Sequence, residues 1–394
     1  MATQTMKAAV IGLGSRIAHV VSLLAKTEPR LTLAGYCDPE PRGMPILRRR
    51  NVSIGPAYRD VATMLSAEKP DLVFIGSPNH LHLQHIEAAL ASGAKVFSEK
   101  PVVRTEDETW ALAALLRHYP ADQLLVGLVL RSAPVVKRAG ALVAAGRLGK
   151  IVSMEMNEHL HPEHGAFLMK DWRRRQDFGG SFLLDKACHD FDLYGMLAGA
   201  RVQKVSSFAA RSIFTPANAP AAPLVYRDEE AETLYSTWPG GWNGIERVFD
   251  SDADVADNQV VAATYENGVH LTFHANSHSP FPQRRWQIMG LEAAMIVDLN
   301  ESVIAIGDRT GGRPETIEFD QGEASQHFGA DPAMVRDIIA HLFDGAAFPV
   351  GAYQAMVAGL TVMAIDRAAQ SGSVVDCTPL WTRLHGLCAP SPAS

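Results

Sequence analysis

Three side chains in this sequence have the types needed to move a proton to or from an alcohol oxygen: Lys100, Asp185 and His189. An imidazole titrates near neutral pH, which suits His189 to act as a general base. Asp185 stands four residues earlier. If Ser181 to Leu197 is helical, the two project from the same face. The carboxylate can then hydrogen-bond the imidazole, fix its tautomer and stabilise its charged form, or bind a substrate hydroxyl. Lys100 is a second candidate in the proton transfer, its ammonium able to stabilise a developing alkoxide. Pro101 follows it and would stiffen its position. Asp190 and Asp192 read as helix-capping or surface charges, with Asp192 a reserve orienter for His189.

Oxidising an alcohol also requires a hydride acceptor, which a cofactor supplies. Gly12-Leu13-Gly14 lies between an apolar strand and a helical pattern. Gly12 can make the tight turn, and Gly14 lets the backbone approach a pyrophosphate. The helix opening at Ser15 and Arg16 offers N–H groups and its positive dipole end to the anion. Ile17 stands where a third glycine is usual. Asp38 ends the second strand, where a carboxylate can accept both adenosine ribose hydroxyls and repel a 2′-phosphate. That favours NAD, and Arg42 nearby keeps NADP possible.

Two further stretches carry candidate side chains. His159, His161 and His164 accompany Glu158 and Glu163. They lack an obvious ligand pair on a helix, so no metal is expected and His159 reads as a substrate-pocket or surface residue. Trp172-Arg173-Arg174-Arg175 offers an indole face for sugar C–H groups and guanidinium donors for hydroxyls or a carboxylate. The alternative is a cationic solvated loop.

The elements that must position these groups change character along the chain. Strand patterns at Lys7–Ile11, Leu31–Cys37, Asp71–Gly76, Lys95–Ser98 and Leu124–Leu130 alternate with helical ones at Arg16–Lys26, Val61–Ala67, Leu83–Ser92 and Glu106–His118. That order implies a doubly wound parallel sheet. After a helix at Val135–Ala145, strand patterns dominate from Ile151–His159 through Thr316–Phe319, several of them alternating polar and apolar residues. Such alternation implies an antiparallel or mixed sheet with one open face. Pro332–Phe343 and Tyr353–Ser371 read as closing helices, and Pro216–Gly244 as an irregular insertion. The fold class is α/β, with a Rossmann domain over 1–130 and a second α/β domain over 131–394 built on a large, mostly antiparallel open sheet.

Composition excludes several classes. The 394 residues are 47% hydrophobic and 20% charged, which fits a globular chain of two domains. Net charge is −7, giving no electrostatic reason for nucleic acid or an anionic membrane as partner. Met1 to Val10 has no signal-peptide pattern, and no run is long enough to span a membrane. Cys37, Cys188, Cys377 and Cys388 are scattered, so a cytoplasmic location is expected.

Four segments together resemble the glucose–fructose oxidoreductase, inositol dehydrogenase and rhizopine catabolism (Gfo/Idh/MocA) family: Ser77-Pro78-Asn79-His80-Leu81-His82, Glu99-Lys100-Pro101, Gly179-Gly180 through Asp185 and His189, and His327-Phe328-Gly329-Ala330-Asp331. The resemblance implies a Rossmann domain followed by an α/β domain whose open sheet joins subunits into a homodimer or homotetramer. It implies that Ser77, Asn79 and His82 lie beside the ribose and nicotinamide, that Glu99, Lys100 and Pro101 line the cofactor–substrate junction, and that Arg131 lies near the domain junction. Ala187 and Lys186 depart from the commonest pattern and leave the substrate open. The activity implied is NAD(P)-dependent hydride transfer to or from a secondary hydroxyl of a sugar, polyol or cyclitol. Redox-coupled glycoside cleavage without net cofactor turnover is a second possibility, and a non-catalytic dinucleotide-binding regulator a third.

Overall fold

The computed structural model describes residues 5–222, 235, 242–320 and 327–388. These form two compact units. The first comprises residues 1–133, 324–359 and 382–394, and the second residues 134–323 and 360–381.

The first unit begins with β1 (Met6–Ile11), α1 (Ser15–Thr27), β2 (Leu31–Cys37), α2 (Met44–Arg49), β3 (Ala57–Tyr58) and α3 (Val61–Glu68). It continues through β4 (Leu72–Ile75), α4 (His82–Ala91), β5 (Lys95–Ser98), α5 (Glu106–Leu116) and β6 (Leu124–Val126). The six strands pair in parallel in the order β3-β2-β1-β4-β5-β6. All four residues of β4 are buried, as a sheet covered on both faces requires. α1 lays Ile17, Val20, Val21 and Leu24 into the core, the stripe its apolar spacing predicts. The order reverses between β1 and β4, so the loops leaving their carboxyl ends open at a topological switch point.

The second unit holds α6 (Pro134–Ala144), β7 (Ile151–His159), α7 (Pro162–Lys170), α8 (Gln176–Gly179), α9 (Phe182–Ala198) and β8 (Val202–Ala210). It then runs through β9 (Asn258–Tyr265), β10 (His270–Asn276), β11 (Arg285–Gly290), β12 (Ala293–Asp298), β13 (Val303–Asp308) and β14 (Glu315–Glu318). Among the described residues the sheet has nine strands, β15 (Val375–Asp376) included, in the order β14-β13-β12-β11-β7-β10-β9-β8-β15. Every pairing is antiparallel except β7 with β10. On β9, Val261, Ala263 and Tyr265 are buried while Val260 and Ala262 are exposed, so one face of the sheet is open. The other packs against α9, where Phe191 and Tyr194 meet Phe273 at ring-centroid distances of 5.1 and 5.8 Å. Burying each such aromatic stabilises the unit by about 1.5–3 kcal/mol.

The chain first leaves the first unit after residue 133 and later returns to it. α10 (Ala330–Asp344) belongs to the first unit, as do the early part of α11 (Ala352–Ser371) and the late part of α12 (Thr378–Cys388). The physical ties are specific. Ser132 Oγ donates to Asp337 at 2.6 Å, and the Arg30 guanidinium stacks 4.0 Å over Phe343. Most of the insertion Pro216–Gly244 lies outside the described residues. No described helix is long and apolar enough to cross a membrane.

Candidate active site

In the first unit the expected cofactor residues gather at the carboxyl ends of the parallel strands. Gly12 follows β1 with a φ of +79°, and a Cβ there would lie 2.3 Å from the Ser77 backbone nitrogen. Only glycine fits. A Cβ on Gly14 would meet nothing nearer than the Gly76 carbonyl oxygen at 4.0 Å, so the loop leaves a cradle beside the exposed first residue of α1, Ser15. Open backbone at a helix N-terminus suits a pyrophosphate. The missing third glycine has a structural answer. Ile17 takes the space, and Gly76 supplies the smallness from the strand side: a Cβ on Gly76 would sit 2.6 Å from Ile17 Cβ.

Asp38 closes the other side of the turn. Its Oδ2 accepts from Leu13 N at 2.5 Å and its Oδ1 from Glu40 N at 2.7 Å. Burial pushes its carboxyl up, against the pull of these two N–H groups. A carboxylate has roughly four acceptor positions, so capacity for ribose hydroxyls remains. Arg42 is paired with Glu40 at 3.2 Å.

Arg16 departs from a simple phosphate-binding role. Its Nε donates to Glu99 Oε1 at 3.1 Å and its Nη1 to Asp331 Oδ1 at 2.6 Å. His327 Nδ1 lies 2.9 Å from Asp331 Oδ2. Burial alone would raise the Asp331 carboxyl, but the His327 hydrogen bond and the Arg16 charge hold it far below the usual range. Arg16 Nη2 is buried and has no hydrogen-bond partner among the described residues. The cradle at Gly14 and this unsatisfied donor both fit a dinucleotide.

Ser77 and Asn79 are buried after β4, and Ser77 Oγ lies 2.8 Å from His85 Nδ1. His82 is fully buried, with Nδ1 2.8 Å from the Pro101 carbonyl and Nε2 2.9 Å from the Ser77 carbonyl. It therefore ties the loop after β4 to the loop after β5. Lys100 lies in that second loop, partly exposed, before a cis bond to Pro101. Arg131, also partly exposed, lies in the 3-10 turn Val129–Ser132.

In the second unit, α9 begins at the cap Ser181, whose Oγ accepts from Leu184 N at 3.1 Å. Asp185 and His189 follow one turn apart, 5% and 6% exposed. Asp185 Oδ2 lies 3.3 Å from Arg173 Nε, and Asp171 Oδ1 takes Arg173 Nη1 at 2.7 Å. Burial lowers the Arg173 guanidinium, yet Asp185 and Asp171 outweigh that and raise it. Arg173 also stacks 4.1 Å over the buried Trp172 ring. The guanidinium thus lies over the indole ring. Arg173 stays beside Asp185.

The adjacent stripe of α9 corrects one expectation. Asp190 is neither cap nor surface charge: it is fully buried and takes Arg284 Nε at 2.9 Å and Nη2 at 2.6 Å. Glu158 binds Arg284 at 2.7 Å and Lys186 at 3.3 Å. Tyr194 donates to Asp190 at 3.2 Å. Along β7, Met154, Met156 and Glu158 are buried on the α9 side, so by strand alternation His159 projects to the open face. There its Nε2 lies 3.3 Å from His274 Nδ1. His159 thus lies on the open-face side of β7 and Glu158 on the α9 side. Sequence reasoning named Asp331 and Glu158 without giving either a role, and missed Asp171 and Arg284. Asp331 carried its signal within the His327–Asp331 segment.

Residues 6–126 match an oxidoreductase family with an NAD-binding Rossmann fold, and residues 136–296 match the GFO/IDH/MocA C-terminal domain. The oxidoreductase YteT of Bacillus subtilis (strain 168) is 22% identical over 375 residues, covering 83% of this chain and 87% of that protein. D-xylose 1-dehydrogenase (NADP(+)) 2 of Haloferax volcanii is 32% identical over 141 residues, covering 35% of this chain and 41% of that protein. The fold is similar to that of levoglucosan dehydrogenase solved with NADH and levoglucosan, with a TM-score of 0.77, 17% identity and coverage of 95% of this chain and 100% of that one.

Proposed function

The chain belongs to the GFO/IDH/MocA family of NAD-binding oxidoreductases, and from that premise we propose that it transfers a hydride between NAD and a secondary hydroxyl or ketone of a sugar, polyol or cyclitol. The observation that carries this reading is the placement of buried Asp185 and His189 one turn apart on α9, with Asp185 braced by Arg173.

Gly12, Gly14, Ser15, Asp38, Ser77, Asn79 and Glu99 would hold the dinucleotide, with Arg16 fixed behind the turn. The nicotinamide, when bound, supplies the hydride acceptor. His189 accepts the hydroxyl proton in the oxidative direction and returns it in the reductive one. Asp185 orients His189 or holds a neighbouring substrate hydroxyl. The Lys100 ammonium stabilises charge on the reacting oxygen, and Arg131, Trp172 and Arg173 border the substrate. Asp38 supports NAD over NADP, since its charge would repel a 2′-phosphate and Arg42 is engaged by Glu40. The open sheet face, with Phe208 74% exposed and Val260 42%, supports self-association as a dimer or tetramer. The free cysteines support a cytoplasmic site of action.

The test is a carbohydrate panel read by NADH absorbance. Turnover of at least one neutral sugar or cyclitol is expected. His189→Ala is expected to lower kcat by about a hundredfold or more while leaving NADH affinity intact. Absence of turnover across the panel with both NAD and NADP rejects the reading. So does an unchanged rate in the variant.

A further inference from the structure

Arg173 is the cation held against Asp185, and its whole surrounding is arranged around that contact. Nε reaches Asp185 Oδ2 at 3.3 Å, Nη1 reaches Asp171 Oδ1 at 2.7 Å, and the guanidinium carbon lies 4.1 Å over Trp172. Asp171 also accepts from the Arg173 backbone N–H at 3.3 Å, so one carboxylate fixes both the turn and the charge it presents. Asp171 is 2% exposed. The turn is bolted from behind. Arg174 Nε donates to Asp252 at 2.6 Å, Arg175 pairs with Asp254 at 3.2 Å, and Gln176 N donates to Asp254 at 2.8 Å. These contacts fix the backbone of the turn that carries Arg173, and its side chain is held by Asp185 and Asp171.

The other cations along α9 are matched in the same way. Lys186 is on Glu158, and Arg284 is on both Glu158 and Asp190. Arg173, Lys186 and Arg284 thus each rest on at least one buried carboxylate, Arg173 and Arg284 on two. A guanidinium fork binds a carboxylate or phosphate when its donors are available and its charge uncompensated. Here the fork is already shared between two carboxylates, and the low-dielectric setting strengthens the repulsion of any further anion.

We propose that Asp171 is a specificity-determining residue: by compensating the charge of Arg173 together with Asp185, it makes the site accept neutral polyhydroxy substrates and reject uronates, aldonates and sugar phosphates. This rests on the reading that Asp185 and His189 form the reaction pair. Asp171 acts through Arg173 and sets the charge a substrate meets. The effect is selection by repulsion rather than by an added contact.

The experiment measures kcat/KM of the full chain with NAD for neutral hexoses, pentoses and inositols, against D-glucuronate, D-gluconate and D-glucose 6-phosphate. The same compounds are titrated calorimetrically into the NADH-loaded protein. The wild type is expected to prefer the best neutral compound over the best anionic one by at least about tenfold. Asp171→Asn keeps a side-chain acceptor for the turn but removes the charge. It is expected to narrow that preference by about tenfold, through a gain on the anionic compounds. A merely structural role would lower all compounds alike, and that result overturns the proposal. Preference of the wild type for an anionic compound overturns it too, leaving the dehydrogenase reading intact. If no compound is bound or turned over, the dehydrogenase reading falls and this inference with it. If Asp171→Asn does not fold, the wild-type preference decides.

Discussion

Arg16 Nη1 donates to Asp331 Oδ1 at 2.6 Å, joining the residue after the glycine turn to one 315 positions later. The contact makes the returning segment part of the cofactor end of the first unit. Asp331 is 1% exposed, and Arg16 is held from its other side by Glu99. Asp331→Asn should leave the fold in place and loosen Arg16, raising the Kd for NADH about tenfold, as loss of one charge-assisted hydrogen bond would. Fluorescence titration of NADH checks this, and an unchanged Kd refutes it. The pH sense follows from the depressed native value of Asp331. The pair's stabilisation is present above the ordinary carboxylate pKa and is lost only as pH falls well below it.

Asp38 should set cofactor choice. Its two oxygens take Leu13 N and Glu40 N, so the carboxylate shapes the turn, and in the proposed cofactor site it would meet the adenosine ribose. Asp38→Ser retains an acceptor for one N–H and removes the charge. The ratio of kcat/KM for NADP to that for NAD should rise by about tenfold or more, with loss on NAD contributing most of the change. Steady-state kinetics with both cofactors measures it. A ratio that stays constant would show that discrimination lies elsewhere.

Much of this architecture is legible in the sequence, and the remainder is hidden for identifiable reasons. β2, β5 and β7 match the expected ranges residue for residue, because each is a compact apolar or alternating run bounded by turn residues. The cofactor turn is legible because strand, glycines and helix are adjacent in sequence. α7 is not among the expected elements. In the structure Gly165 is a contact inside the helix, where a Cβ would lie 1.7 Å from the Ser277 carbonyl oxygen. Asp190 reads as a surface charge because its partner Arg284 is 94 residues away, just before β11. Local spacing carries no information about a buried pair closed by sheet topology. Arg173 is legible as a cation, but its commitment to Asp185 depends on the fold of the turn between α7 and α8.

The Arg284 cluster should be the most sensitive point of the second unit. Arg284 and Asp190 are almost fully buried, and burial lowers the guanidinium while Asp190 and Glu158 raise it strongly. Arg284→Met leaves two buried carboxylates with one cation fewer, a loss of about 3–5 kcal/mol. Adding Asp190→Leu removes one stranded charge and should recover at least about 1 kcal/mol of that loss. Urea unfolding of the two variants checks the order. If the double variant is the less stable of the two, the pair contributes more as a structural contact than as compensated charge.

Asp366 supplies a pH signature. It lies on α11, where Gln259 Nε2 approaches its Oδ1 at 3.4 Å and the Ser181 hydroxyl hydrogen-bonds it. Ser181 is also the cap of α9, so this carboxyl touches the helix that carries Asp185 and His189. Burial pushes its pKa up to about 6, with the Ser181 and Gln259 hydrogen bonds pulling the other way. A raised carboxyl pKa means the native state holds a proton that the unfolded chain has released. Stability therefore falls as pH rises from about 4 to about 6, and the loss is complete above that window. Asp366→Asn keeps the neutral shape at every pH. It should match the wild type near pH 4 and exceed it by about 1–2 kcal/mol above pH 6.5, a range discounted for the partial exposure of the side chain. Urea midpoints at pH 4.5, 5.5 and 7 measure the trend, and equal midpoints at pH 7 would mean that the carboxylate is solvated well enough to ionise without cost.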